Sequence, residues 1–360
     1  MADLRAAQSR LATRTRLAAL VGALVWLSAC TPASDDTATE VVRAASGGEP
    51  ISVLSLASAQ PTQDARRYEL QPYVRQPGIN GKLSTTGSDT ISSLMTLWAE
   101  AFKHAYPNVN IEVQVAGSST APPALTEGTV NFGPMSRAMK DREIEAFESR
   151  HGYRPTAVRV ALDALAVFVH KDNPLRTLTL DQVDAIFSMT RRCGSAQAID
   201  EWGGVGLAGS WENRPIQLFG RNSVSGTYGY FKRVALCSGD FRSSVNEQPG
   251  SASVVQAVSS SLNGIGYSGM GYLTSGVNAL GVATDSGVIH ASTATARSGA
   301  YPLTRYLYIY MDRRPGDVLP EVEREFLRMV LSAQGQAIVA KDGFIPLAPR
   351  IAQAELDQLG

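Results

Sequence analysis

The chain has 360 residues and carries 33 basic against 33 acidic side chains, a formal net charge of zero. That balance gives no field to attract nucleic acid, and the length is enough for a body of two lobes. His104, His151, His170 and His290 stand apart, with no His-x-x-x-His spacing and no Gly-x-Ser-x-Gly elbow, so neither a metal, a cofactor nor a hydrolase is indicated.

Taken in chain order, Arg5, Arg10, Arg14 and Arg16 precede a short apolar run, Leu17 to Leu27, which leads into Leu27-Ser28-Ala29-Cys30. The run is too short for a comfortable membrane span and reads as a secretory signal. Its end resembles a bacterial lipobox, which implies a signal peptide over 1–29, cleavage before Cys30 and lipidation of that residue. Export to the periplasm or cell surface, with a lipid anchor in a bacterial membrane, follows. Residues 30–80 are rich in small and polar side chains without a sustained period, and are expected to form a flexible tether with a short ordered piece near Ile51 to Leu54. A chain of that length spans roughly 40 Å root-mean-square. With Cys30 lipidated, Cys193 and Cys237 remain as one pair in an oxidising compartment, where a disulfide is expected.

From about residue 81, strand-like and helix-like segments alternate. Strands are expected at Val109–Val115, 130–132, Val158–Val169, 216–219, 265–267 and 305–311. Helices are expected at 141–149, 179–187, 251–261 and 320–333. The alternation predicts an α/β fold with mainly parallel sheets, and the continuous apolar run Ala164 to Val169 predicts a buried strand. Asp163 reads as a loop acid. Trp202 and Trp211, among several glycines, read as a surface loop, and 303–311 as a central strand.

Three hydroxyl-rich turns sit where a strand-like segment gives way to a helix-like one. Thr85-Thr86-Gly87-Ser88-Asp89-Thr90 precedes Ile91, Leu94, Met95, Trp98 and Phe102, which share one helical face. Gly117-Ser118-Ser119-Thr120 leads into Pro122 and Pro123, tolerated in a first helical turn. Arg221-Asn222-Ser223-Val224-Ser225-Gly226-Thr227 places a permanent cation, hydroxyls and a glycine at a third helix start. Helix N-termini offer unpaired N–H groups and partial positive charge, and a guanidinium matches an oxyanion. Three such turns meeting at one point would surround an anion with dipoles and neutral donors.

These turns, with Asn131-Phe132-Gly133-Pro134-Met135-Ser136-Arg137 and Gly264-Ile265-Gly266-Tyr267, resemble the phosphate-binding proteins of bacterial phosphate ABC transporters over roughly 80–350. The resemblance implies a type II periplasmic-binding fold of two lobes, 81–165 plus 268–350 and 166–267, with the ligand clasped between them. It implies extracytoplasmic binding of inorganic phosphate by a monomer that delivers it to permease subunits. Contacts to phosphate carry over to Asp89, Thr90, Ser118, Arg221, Ser225, Gly226 and Thr227, with Ser88, Ser119, Ser136 and Arg137 beside them. One departure stands out: the family usually has an acid closing the Phe-Gly turn, and this chain has Ser136 there, while the first turn carries Asp89. We expect Asp89 to be the carboxylate that accepts the ligand proton, against the simpler reading of an acid at a helix start. Arg137 reads as a second clamp, a partner for Asp89, or a solvated arginine between lobes. Sulfate binding, or an adhesion or matrix role on the same fold, is the alternative function.

Overall fold

The computed structural model describes residues 69–359. The signal peptide, Cys30, the piece at 51–54 and the tether up to residue 68 lie outside the described residues.

The chain opens with β1 (Gly81–Gly87), α1 (Ser92–Ala105), β2 (Val109–Val115), α2 (Ala121–Thr126), β3 (Phe132–Met135) and α3 (Asp141–His151). A long strand, β4 (Thr156–His170), follows, then β5 (Thr177–Leu178), α4 (Leu180–Phe187), β6 (Gln217–Arg221), α5 (Gly226–Ala235) and β7 (Asn246–Gln248). Next come α6 (Ser251–Ser259), β8 (Gly264–Gly269), β9 (Val277–Ala279), β10 (Gly281–Thr284), β11 (Gly287–Ile289) and α7 (Thr293–Arg297). The chain ends through β12 (Thr304–Met311), α8 (Glu321–Leu331), α9 (Ala333–Lys341) and α10 (Pro349–Asp357).

Local chemistry explains where these elements begin and end. Leu94, Met95, Trp98 and Phe102 bury one stripe of α1. Glu143 accepts from the Lys140 N–H at the start of α3, and Gly152 ends that helix in the left-handed region at φ 80°. Thr179 and Gln182 form a reciprocal capping box on α4.

Among the described residues the main sheet has nine strands in the order β2-β1-β3-β12-β4-β8-β6-β7, with β9 also on β4; a smaller sheet runs β11-β10-β5. The main sheet is mixed. β1 pairs in parallel with β2 and β3, and β6 with β7 and β8, whereas β4 and β12 run antiparallel to their neighbours. β4 serves both lobes: 156–164 pair with β12, and 165–170 with β8 and β9. Its Val158, Val160 and Ala161 join a core built on Trp98, Phe132, Leu307 and Phe326. Leu165, Val167 and Val169 join a second core with Phe187, Phe231 and Tyr267. That second core also takes in Leu280, Val282, Ala296, Tyr301 and Leu303, while Tyr272, just after β8, packs on the first core.

Residues 69–80, expected to belong to the tether, pack on the first lobe. The Ala333 N–H donates to Gln71 O, and the Tyr73 hydroxyl donates to Glu325 and meets Tyr106 Oη at 2.8 Å. Burial, reinforced by Tyr106 and Glu325, pushes the Tyr73 phenol pKa up, which keeps it a donor. Trp202, expected on the surface, is buried in the second core and meets Trp211 edge-on.

Cys193 and Cys237 form a disulfide with Cα atoms 5.3 Å apart, tying the loop after α4 to the end of α5. Among the described residues, the non-glycine side chains with φ in the left-handed region are Arg191, Cys237 and Ser238, at or beside this bridge. We expect Cys193→Ser with Cys237→Ser to lower unfolding stability by roughly 4 kcal/mol, the chain-entropy value for its 44-residue separation. Urea denaturation measures this. An unchanged midpoint would mean that the bridge constrains nothing.

Candidate functional site

Each hydroxyl-rich turn leaves the carboxyl end of a parallel strand, the place where open α/β sheets present ligands to backbone donors. The turn after β1 holds Ser88, Asp89 and Thr90; the turn after β2 holds Ser118 and Ser119. The turn after β3 holds Ser136 and Arg137, and the turn after β6 holds Ser225, Gly226 and Thr227.

The turns are stitched together. Ser88 N donates to Pro134 O at 2.8 Å, and Ser119 N donates to Val224 O at 3.1 Å. Gly117 permits the second of these: it sits at φ 94°, and a Cβ there would lie 2.8 Å from Val224 O. Ser136 N donates to Ser118 Oγ at 3.1 Å, and the two hydroxyls lie 3.2 Å apart. Gly226 packs directly on that pair, and a methyl group there would overlap both oxygens. Thr90 Oγ1 and Thr227 Oγ1 are hydrogen-bonded at 2.9 Å. Tyr272, following β8, donates to Thr90 O. Ser225 Oγ caps α5, accepting from the N–H groups of Thr227 and Tyr228. Ser88, Thr90, Ser118, Ser136, Ser225 and Thr227 are all buried.

The charges are arranged with equal economy. Arg221 is 1% exposed. Its Nη1 lies 2.7 Å from Asp89 Oδ2 and donates to Ser251 Oγ, while Nε donates to Gln248 O and Nη2 to Pro249 O. The Arg221 N–H donates to Tyr267 Oη, a phenol whose pKa burial pushes up. Asp89 therefore has one oxygen on Arg221 and Ser251, whereas its Oδ1 is buried and has no hydrogen-bond partner. A carboxylate oxygen in that condition is costly unless something supplies a proton.

Arg137 does not reach Asp89. Its two terminal nitrogens grip the two oxygens of Glu143 at 2.7 Å each, and Nη2 also donates to Ser119 Oγ. It is buried rather than solvated. Although burial opposes ionisation of Glu143, Arg137 and the Lys140 N–H hold its carboxyl below its usual range. Asp163, read from the sequence as a loop acid, lies in the middle of β4 at 1% exposure. It accepts from Arg305 Nε at 3.0 Å and Nη2 at 2.7 Å. Arg305 Nη2 donates in turn to Thr227 Oγ1 at 2.8 Å. Neither residue stood out as part of the site in the sequence. The signal was present nonetheless: an acid inside the apolar run 160–169 and an arginine in a strand of Tyr, Leu and Ile each need a partner once buried. Among the described residues, no group of three or more His, Cys, Asp and Glu could hold a metal.

The four turns bring buried hydroxyls together, Asp89 keeps one oxygen without a partner, and each of these three buried arginines has a carboxylate partner.

Comparison with known proteins identifies the family. Residues 30–334 match the model of the PBP superfamily domain. The chain is 59% identical over 293 residues to the phosphate-binding protein PstS of Pseudomonas aeruginosa, covering 81% of this chain and 91% of that one. It is 27% identical to the phosphate-binding protein PstS of Staphylococcus epidermidis, over 78% of this chain and 83% of that one. Among solved structures, a Clostridium perfringens substrate-binding protein with bound phosphate superposes at a TM-score of 0.63 with 28% identity, covering 74% of this chain and all of that one. An ABC-type phosphate transport receptor from Vibrio cholerae shares the fold at a TM-score of 0.60 and 19% identity, over 74% of this chain and all of that one. The chain belongs to the PBP superfamily and, within it, to the family of PstS phosphate-binding proteins.

Proposed function

We propose that the protein binds inorganic phosphate outside the cytoplasm and delivers it to an ABC permease, as a binding protein and not as an enzyme. It acts as a monomer held to a membrane through a lipid on Cys30. The family and a relative with bound phosphate support this reading. The observation that carries it is Asp89, whose Oδ1 is buried without a hydrogen-bond partner, in the turn that Thr90 ties to the start of α5 through Thr227.

The selectivity argument is one of proton bookkeeping. Phosphate near neutral pH keeps at least one proton, and sulfate keeps none. A protonated oxygen can donate to Asp89 Oδ1 in a charge-assisted bond, while the remaining oxygens accept from hydroxyls and from the start of α5. Sulfate leaves the carboxylate facing another acceptor, at about 1–3 kcal/mol or more for a charged group. Asp89 takes the acceptor role because Ser136 closes the Phe-Gly turn with a hydroxyl. Arg221 holds Asp89 in place. Ser88, Ser119 and Arg137 shape the turns, Arg137 by bracing Ser119 through the Glu143 pair.

Protein stripped of ligand by denaturing dialysis and refolded should bind phosphate in a calorimeter. The absence of any phosphate heat would remove the reading. Asp89→Asn should weaken phosphate and strengthen sulfate, because an amide can present an N–H to an oxyanion; a phosphate-to-sulfate ratio equal to the parent's would exclude Asp89 as the acceptor. Gly226→Ala should weaken phosphate about 10-fold by forcing apart the Ser118 and Ser136 hydroxyls. Parent affinity in that variant would place the anion elsewhere. Mass spectrometry of the exported protein should find a lipidated N-terminal Cys30, and an uncleaved chain would refute the anchor.

A further inference from the structure

Arg305 and Asp163 face each other as register partners on β12 and β4, the antiparallel pair at the middle of the sheet. Both are buried, and the guanidinium meets Asp163 Oδ2 through two nitrogens. From there it reaches α5 at two successive turns. Nη2 donates to Thr227 Oγ1, and the guanidinium carbon lies 5.4 Å from the Tyr230 ring centre. Tyr230 is itself fixed, its hydroxyl donating to Thr304 O at 2.6 Å.

We propose that Arg305, held by Asp163, is a positioning residue that commits the Thr227 hydroxyl to donate toward the anion. The inference rests on the phosphate reading above. A guanidinium carries donors only, so the 2.8 Å contact occupies an acceptor position of Thr227 Oγ1. A hydroxyl has one proton, and that proton cannot point at Arg305. It is left for the other side of the oxygen, where Thr90 Oγ1 lies 2.9 Å away. Either hydroxyl of that pair can be the donor, so Thr90 can donate to Thr227 and leave the Thr227 proton for the ligand. An oxyanion presents mostly acceptors, so a hydroxyl already oriented as a donor binds it without rotating first. The Asp163–Arg305 pair is close to neutral as a unit, so its contribution is direction rather than attraction. That separates it from Arg221, whose partner Asp89 has an oxygen left for the ligand.

The test is a double-mutant cycle on the full chain, stripped of ligand, with inorganic phosphate titrated by calorimetry. One arm is Thr227→Val. The other replaces the ion pair together, Asp163→Asn with Arg305→Met, so that no lone charge is left buried. Thr227→Val should weaken phosphate about 10-fold in the parent but less than about 3-fold in the pair-replaced background, because the oriented donor is already lost there. Equal factors in the two backgrounds would overturn the proposal, as would unchanged affinity in the pair-replaced protein. Should that protein fail to fold, Asp163→Leu with Arg305→Met removes the pair and the donor to Thr227 with two apolar side chains. The same non-additivity with Thr227→Val is expected there, and additivity overturns the proposal equally. If the parent does not bind phosphate, the functional reading fails first; additivity in a parent that binds defeats this inference alone.

Discussion

A guanidinium shut away from water needs a carboxylate, and this requirement organises the junction of the two lobes. Arg221 takes Asp89, Arg137 takes Glu143 and Arg305 takes Asp163. Buried pairs of this kind contribute little net stability, because desolvation offsets most of the Coulomb attraction. Their effect is geometric: losing either partner leaves a naked charge, so the turns carrying them are held to one arrangement. The pairs link separate elements, Arg221 joining the turn after β6 to that after β1, and Arg305 joining β12 to β4 and α5.

The neutral groups depend on this frame. Serine and threonine hydroxyls bind weakly unless their protons already point at the ligand, since reorienting them costs part of what the bond returns. Here Ser118 and Ser136 orient each other, Thr90 meets Thr227, and Ser225 is occupied with the first N–H groups of α5. Two glycines admit the close approach. Gly117 passes under Val224 O, and Gly226 sits on the Ser118 and Ser136 hydroxyls. A side chain at either position would separate the turns by more than a hydrogen bond can span.

The sheet carries these constraints across the molecule. Its parallel flanks bring the carboxyl ends of β1, β2, β3 and β6 to one region, while the antiparallel β4 runs through both lobes. Because β4 contributes to both hydrophobic cores, the lobes share a continuous strand. The disulfide secures the far end of α5, whose N-terminus carries Gly226 and Thr227.

Local sequence determined a good deal. Apolar periodicity marked α1, β2, β4 and β12 near their true limits, because a helix face and a buried strand are patterns of the sequence itself. Hydroxyl, glycine and arginine at strand-to-helix boundaries marked the turns, since helix starts select those residues for local reasons. Cysteine arithmetic marked Cys193 and Cys237. Partnership was decided only by the tertiary structure. That Arg221 belongs to Asp89 and Asp163 to Arg305 follows from strand register and helix placement across as many as 142 residues. So does the packing of residues 69–80 on the first lobe through Tyr73. Local pattern fixes which residues seek burial. Which charge meets which depends on distances that no short stretch of chain contains.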